Sequence, residues 1–310
     1  MRHPGIHHVT AIAGPARRNL EFYTHTLGLR LVKRTVNFDD PGTYHFYFGD
    51  EAGAPGTILT FFPWEHVAPG RLGIGHTLET AFRVPEGSIG YWTHRLVENS
   101  VPHEAPERRF GETVIAFKDP DGMSLALVGV RDAEAEPAWA GSAVPAESAI
   151  RGFHSVTLLL EDAAPTGAIL TDVMGFVEGE REGALHRFTA PGAGPGRVVD
   201  IRAAKGFLPG RQGGGSVHHI AFRAGDDTEQ AEMVRRLAEN HRIRTTEQRD
   251  RNYFRSVYFR EPGGILFEIA TDDPGFAADE SLASLGQALK LPRFLEPRRS
   301  EIEAVLPELA

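Results

Sequence analysis

Ile6-His7-His8-Val9-Thr10 and Val217-His218-His219-Ile220-Ala221-Phe222 are near-copies of one short strand, 211 positions apart. Two further segments share their alternating character: Leu78-Glu79-Thr80-Ala81-Phe82 and Phe153-His154-Ser155-Val156-Thr157. A unit recurring at a roughly fixed interval is read before anything else, because it sets the architecture. After each opening strand comes a helix-like stretch: 19–27, 89–97, 168–174 and 229–239. In the first, Leu20, Tyr23 and Leu27 share one face, and Gly28 can cap the end. Each unit closes on strands, the last spanning 57–62, 123–128, 197–202 and 264–270. Asp121-Gly122 and Gly263-Gly264 supply turns before two of these. The pattern predicts an α+β chain of four βαβββ modules. Two fill 1–130, a linker rich in Ala, Glu and Pro fills 131–149, two more fill 150–272, and 273–310 forms a tail.

Composition bounds the chemistry. The chain has 310 residues and no cysteine, which removes disulfides, thiolate nucleophiles and Cys-ligated zinc or iron–sulfur sites. Fourteen histidines and 42 carboxylates remain, so a metal would be held by nitrogen and oxygen. The net charge of −9 gives no footprint for nucleic acid or anionic lipid. No apolar run reaches the roughly 20 residues of a membrane span. Met1-Arg2-His3-Pro4 lacks an apolar signal core, so a cytoplasmic location is the expectation. A homo-oligomer is left open.

The repeat supplies its own control for metal ligands. Each module offers one inward position on its opening strand and one on its closing strand: His8 with Thr60, Glu79 with Ala126, Ser155 with Asp200, His219 with Glu268. A lone strand histidine is ordinarily a packed or surface residue. Two histidines at equivalent positions, with a glutamate on the partner strand, make a two-imidazole, one-carboxylate facial set. Such a set suits non-haem Fe(II) and also accepts Mn(II). A buried unpaired Glu268 within Ile265-Leu266-Phe267-Glu268-Ile269 would cost several kcal/mol, which a cation offsets. Strand alternation lets only one histidine of each doublet face inward. Module 3, with His154 then Ser155, shows that the first position tolerates histidine without a ligand set; the choice of the second of each doublet, His8 and His219, rests on the family resemblance given below. Glu79 and Asp200 read as polar residues of a degenerate half. Lys33-Arg34 reads as an exposed pair, and Tyr44, His45 and Tyr47 as strand packing.

The four modules, Phe22-Tyr23 before Leu27-Gly28-Leu29, and a Pro-Gly-Gly turn before a Glu-bearing strand together resemble the vicinal-oxygen-chelate superfamily, that of glyoxalases, bleomycin-resistance proteins and extradiol dioxygenases. Residues 5–13 (GIHHVTAIA), 33–56 (KRTVNFDDPGTYHFYFGDEAGAPG), 217–222 (VHHIAF) and 251–268 (RNYFRSVYFREPGGILFE) resemble its hydroquinone-type ring-cleaving dioxygenases. The resemblance covers nearly the whole chain. It implies an Fe(II) enzyme that opens the ring of a diphenol with insertion of both atoms of O2. It also implies Tyr258 and Arg251 beside the metal, with His7 as a third acid–base or positioning group; the bland alternatives are a half-buried strand tyrosine and a solvated turn arginine. Modules 1 and 4 would then form the metal-bearing cup. A glyoxalase-like isomerase or thiol transferase is the second reading, weakened because Thr60 is a poor fourth ligand. A non-enzymatic small-molecule binder is the third, and it has no need of the triad.

Overall fold

The computed structural model describes residues 4–309; the leader reading on Met1-Arg2-His3 falls outside them. The four modules are present. The first runs β1 (Ile6–Ala13), α1 (Ala16–Glu21), β2 (Arg30–Asn37), β3 (Asp40–Gly49) and β4 (Ile58–Pro63). The second runs β5 (His76–Pro85), α2 (Ile89–Glu98), β6 (Glu107–Arg109), β7 (Glu112–Lys118) and β8 (Ser124–Val130). The third runs β9 (Phe153–Leu160), α3 (Ala164–Asp172), β10 (Val177–Glu182), β11 (Leu185–Thr189) and β12 (Val198–Ala203). The fourth runs β13 (Val217–Ala224), α4 (Asp227–His241), β14 (Arg249–Asp250), β15 (Arg255–Arg260) and β16 (Leu266–Thr271). Among the described residues of the tail, one α-helix, α5 (Arg299–Val305), follows short 3-10 turns. No helix among the described residues is long and apolar enough to cross a membrane.

Helix boundaries move for local reasons. Pro15 and Pro165, whose fixed φ suits a helix start, let α1 and α3 begin earlier than the apolar pattern alone suggests. The last turn of α1 widens over Phe22–Thr26, where the Leu27 amide donates to the Phe22 carbonyl five residues back. Gly28, at φ +71°, then reverses the chain into β2 at no steric cost. Tyr23 and Leu27 are buried as their spacing requires, and the Tyr23 hydroxyl donates to Asp119 at 2.9 Å, tying module 1 to module 2.

The strands form two eight-stranded sheets, ordered β14-β15-β16-β13-β1-β4-β3-β2 and β10-β11-β12-β9-β5-β8-β7-β6. The first cup therefore joins modules 1 and 4, and the second joins modules 2 and 3. Each cup has an antiparallel seam, β1 with β13 and β5 with β9. Outside each seam the opening strand pairs in parallel with its own closing strand. The register is the same four times: Thr10 faces Thr60, Ala81 faces Ala126, Thr157 faces Asp200, and Ala221 faces Glu268. Two residues before each of these opening-strand positions, on the same face by alternation, stand His8, Glu79, Ser155 and His219. Residues 131–149 pack between the cups, with Val144 and Ala149 buried and the Trp92 indole donating to the Ser148 carbonyl at 2.8 Å.

The tail corrects one expectation. Lys33 is not an exposed partner of Arg34; its side chain is 0% exposed. Its ammonium is paired with Glu280 and, at 2.6 Å, with Asp279, and lies 4.8 Å from the Tyr253 ring centre. The reason is edge protection. β2 ends its sheet, and an open strand edge is a template for unwanted pairing. The tail covers it: the Lys290 amide donates to the Arg34 carbonyl at 2.9 Å, and the Arg30 guanidinium donates to the Leu282 carbonyl at 2.7 Å. Lys33→Met removes the cation and leaves Glu280 buried without it. The expected loss is about 3 kcal/mol of stability in urea unfolding, with faster proteolysis of the tail; an unchanged midpoint would show that the clamp contributes nothing.

Candidate metal centre and its cavity

His8 on β1 and His219 on β13 face each other across the seam, and Glu268 comes from the next strand. Their Nε2 atoms are 3.4 Å apart. Glu268 Oε2 lies 2.9 Å from His219 Nε2 and 3.5 Å from His8 Nε2. All three residues are buried, at 2%, 6% and 0% exposure. Donors on one face of an octahedron with bonds of about 2.1 Å lie about 3 Å apart, so these spacings suit a cation of that kind. One oxygen of Glu268 accepts a hydrogen bond from Ser256 Oγ, while Oε2 has none. A buried carboxylate oxygen without a hydrogen bond is costly unless a cation meets it. The residues present fit a divalent metal.

The doublets explain how each ring is aimed. His7 Nδ1 is 2.9 Å from His8 Nδ1, and His218 Nδ1 is 2.8 Å from His219 Nδ1. Two nitrogens that close share one proton. If the ligand ring turns its Nε2 lone pair to the centre, its Nδ1 carries the proton and the neighbour accepts. Burial, together with the adjacent imidazole, lowers the pKa of both neighbours: His7 well below its usual value, His218 to about 4. Burial raises the cost of the Glu268 charge, yet His8 and His219 outweigh it and hold this carboxyl well below the ordinary range. The structure does not bring His7 into the cavity. It sits behind His8, its ring 5.3 Å from Phe254. His218, the doublet member not chosen as a ligand, does reach the cavity wall.

Above the triad is a cavity of about 370 Å³. Module 4 contributes Arg251, Tyr258, Phe254 and Leu266; the hairpin between β2 and β3 contributes Asn37, Phe38 and Asp39 at its mouth. Arg251 Nε donates to the Tyr258 oxygen at 3.2 Å, and its guanidinium also meets Asp39 at 3.5 Å. Burial, and then the Glu268 charge, raise the Tyr258 pKa, so its phenol keeps its proton. His45 and Tyr47, read from sequence as packing residues, also line this space. On β3 they alternate with Tyr44 and Phe46, which do pack in the core. The signal was in the repeat. Tyr47 faces Thr60 in register as Tyr258 faces Glu268.

The second cup shows the same frame without such a centre. Asp200, at the position of Glu268, takes two nitrogens of Arg187, each at 2.9 Å. Glu79, at the position of His8, takes Arg109 at 2.6 Å. Glu112 joins Arg187 at 2.9 Å and His154 at 3.0 Å. Guanidinium groups neutralise these carboxylates. Burial works against the Glu112 charge, but His154 and Arg187 prevail and hold its pKa at about 2, from 4.5. A carboxyl depressed in the folded state contributes stability that is fully present above about 4.5 and lost as pH falls towards 2. Glu112→Gln should therefore flatten the acid limb of the stability–pH profile between those values; an unaltered limb would remove this network from the account.

Comparison with known proteins agrees with this architecture. The family model described as Glyoxalase/Bleomycin resistance protein/Dioxygenase superfamily matches residues 5–127 and 152–269. The chain is 47% identical over 299 residues to the Bacillus subtilis protein named "Putative ring-cleaving dioxygenase MhqO", covering 96% of this chain and 94% of that one. It is 33% identical over 304 residues to a Sphingobium indicum protein named "Chlorohydroquinone/hydroquinone 1,2-dioxygenase", again covering 96% and 94%. A crystal structure titled as a putative dioxygenase from Bacillus subtilis superposes with a TM-score of 0.94 at 45% identity, over 99% of this chain and 98% of that chain. With both halves matched by the family model and relatives above 30% identity over nearly the whole chain, the chain belongs to the glyoxalase/bleomycin resistance protein/dioxygenase superfamily.

Proposed function

We propose that the protein is an Fe(II)-dependent, extradiol-type ring-cleaving dioxygenase that acts on hydroquinone or a substituted hydroquinone and inserts both atoms of O2. The observation that carries this is the buried His8, His219 and Glu268 face beneath a 370 Å³ cavity with aromatic walls. The name of the Sphingobium relative supports the substrate class.

His8, His219 and Glu268 would hold the metal, and Mn(II) suits the same donors. When bound, an iron(II) supplies Lewis acidity towards a phenol oxygen and redox chemistry towards O2. The remaining work belongs to side chains. Arg251 puts a fixed cation beside the cavity, where it steadies an anionic phenolate and the anions that follow. Tyr258, protonated and hydrogen-bonded to Arg251, donates a hydrogen bond and can give up a proton as the ring opens. His7 acts through His8, holding the ring's orientation from behind. Phe62, Phe254 and Leu266 exclude water, which strengthens each of these interactions. A glyoxalase-like isomerase would want a fourth protein ligand at Thr60, but that hydroxyl is engaged with Thr10 at 2.8 Å and His45 at 2.9 Å.

Anaerobic Fe(II) reconstitution followed by oxygen-electrode assays should give O2 uptake with hydroquinone. Uptake is expected to be weaker with catechol and absent with a methylglyoxal–thiol adduct. Turnover of the thiol adduct without O2 would overturn the proposal. Glu268→Gln should lower iron affinity at least about tenfold by metal analysis and abolish uptake. Tyr258→Phe should keep iron while kcat falls about a hundredfold; iron loss in that variant would mark Tyr258 as structural.

A further inference from the structure

Three of the four repeat-equivalent positions in the first cup carry His8, His219 and Glu268, and the fourth carries Thr60 on β4. Behind that ligand-free side the chain builds a line of hydrogen bonds. Tyr47 Oη is 3.0 Å from His45 Nδ1, His45 Nε2 is 2.9 Å from Thr60 Oγ1, and Thr60 Oγ1 donates to Thr10 Oγ1 at 2.8 Å. The line has one direction. Thr60 gives its only proton to Thr10, so its oxygen accepts from His45 Nε2–H. A neutral imidazole then has Nδ1 free to accept, and the Tyr47 hydroxyl donates to it. Both end residues line the cavity, and Tyr47, with its proton on His45, has only an oxygen lone pair to offer. The rings are held in place, His45 against Phe62 at 4.3 Å and Tyr47 against Phe276 at 5.1 Å between ring centres. The line carries no charge, since burial and the nearby His219 and His8 lower the proton affinity of His45.

We propose that this line reads a second, uncharged hydroxyl on the substrate ring, with Tyr47 Oη accepting its hydrogen bond, and so selects a diphenol over a simple phenol or a ring carboxylate. A hydroxyl donates to that lone pair. A methyl group leaves it unpaired in a dry site, and a carboxylate sets oxygen against oxygen. The inference rests on the triad cavity being the substrate site proposed above, and it makes His45 a positioning residue and Tyr47 the group that touches substrate.

The test is calorimetric titration of Fe(II)-loaded protein without O2, using hydroquinone, 4-methylphenol and 4-hydroxybenzoate. Wild-type protein should bind hydroquinone about tenfold or more tightly than either analogue. Tyr47→Phe should bring the hydroquinone to 4-methylphenol ratio to about one, and His45→Leu, which frees the Tyr47 proton to meet a carboxylate, should weaken the discrimination against 4-hydroxybenzoate, with iron content unchanged in both. A hydroquinone to 4-methylphenol ratio that survives in iron-loaded Tyr47→Phe, or an unchanged discrimination against 4-hydroxybenzoate in iron-loaded His45→Leu, overturns the inference. Two outcomes separate it from the proposed activity. Wild-type protein that cleaves hydroquinone yet binds all three ligands equally refutes the reader and leaves the dioxygenase standing. Selective binding that is lost in these ways in the two variants, without O2 uptake by wild type, upholds the reader and removes the dioxygenase.

Discussion

A carboxylate buried with one oxygen lacking a hydrogen bond is the constraint on which this molecule turns. Removing such a charge from water costs several kcal/mol, and the protein must return that through a nearby positive charge. The two cups meet the same requirement differently. In the second, Asp200 receives a two-pronged guanidinium from Arg187, a fixed cation supplied by the chain itself. In the first, the residue facing Glu268 across the strands is Tyr258, which carries no charge, and the approaching nitrogens belong to two imidazoles. Once their Nε2 lone pairs turn inward, these imidazoles no longer offer the protons that offset the carboxylate's charge. They can share a cation with it. One frame thus yields a closed, self-neutralised cup and one whose charge balance calls for an ion.

That balance depends on chain segments far apart in sequence. His8 and His219 meet only because β1 and β13 form the seam of one sheet, and Glu268 meets them because β16 pairs beside β13. The loop 251–254 carries Arg251 and Phe254, and its position is fixed from outside. Tyr253 donates to Asp279 at 3.0 Å, Asp279 pairs with Lys33 on β2, and Phe276 stacks on Tyr253 with ring centres 5.1 Å apart. Phe254 in turn lies 4.9 Å from the His8 ring. The tail therefore reaches the centre through packed side chains. Packed side chains thus join Lys33 to a wall of the cavity without any contact between the two.

Much of this was legible in the sequence because it is periodic. Alternation within a strand and recurrence between modules are both local patterns, and together with the family resemblance they single out His8, His219 and Glu268, which the structure brings within one another's reach. What could not be read was non-periodic. Lys33 looks like any charged residue before a strand, because its partners Asp279 and Glu280 are nearly 250 residues away. His45 and Tyr47 fit an alternating strand whichever face is buried, so alternation could not say which pair, His45 and Tyr47 or Tyr44 and Phe46, would meet the core. His7 was placed near the substrate by resemblance, whereas the pleat turns it behind His8.

The strand position beside each closing-strand residue differs among the modules. It holds Tyr47 in module 1, Ala116 in module 2, Arg187 in module 3 and Tyr258 in module 4. In the second cup the pair is alanine and arginine, and the arginine fills the centre with charge. In the first the pair is two tyrosines, and neither fills it. Their environments differ despite the shared position. Tyr258 receives a hydrogen bond from Arg251, so its own proton is available to a neighbour, whereas Tyr47 spends its proton on His45 and shows only a lone pair. A near-symmetric frame thereby becomes a polar one, with a donor on one wall and an acceptor on the other. A ring bearing two hydroxyls has a defined way to lie between them, and a ring bearing one does not.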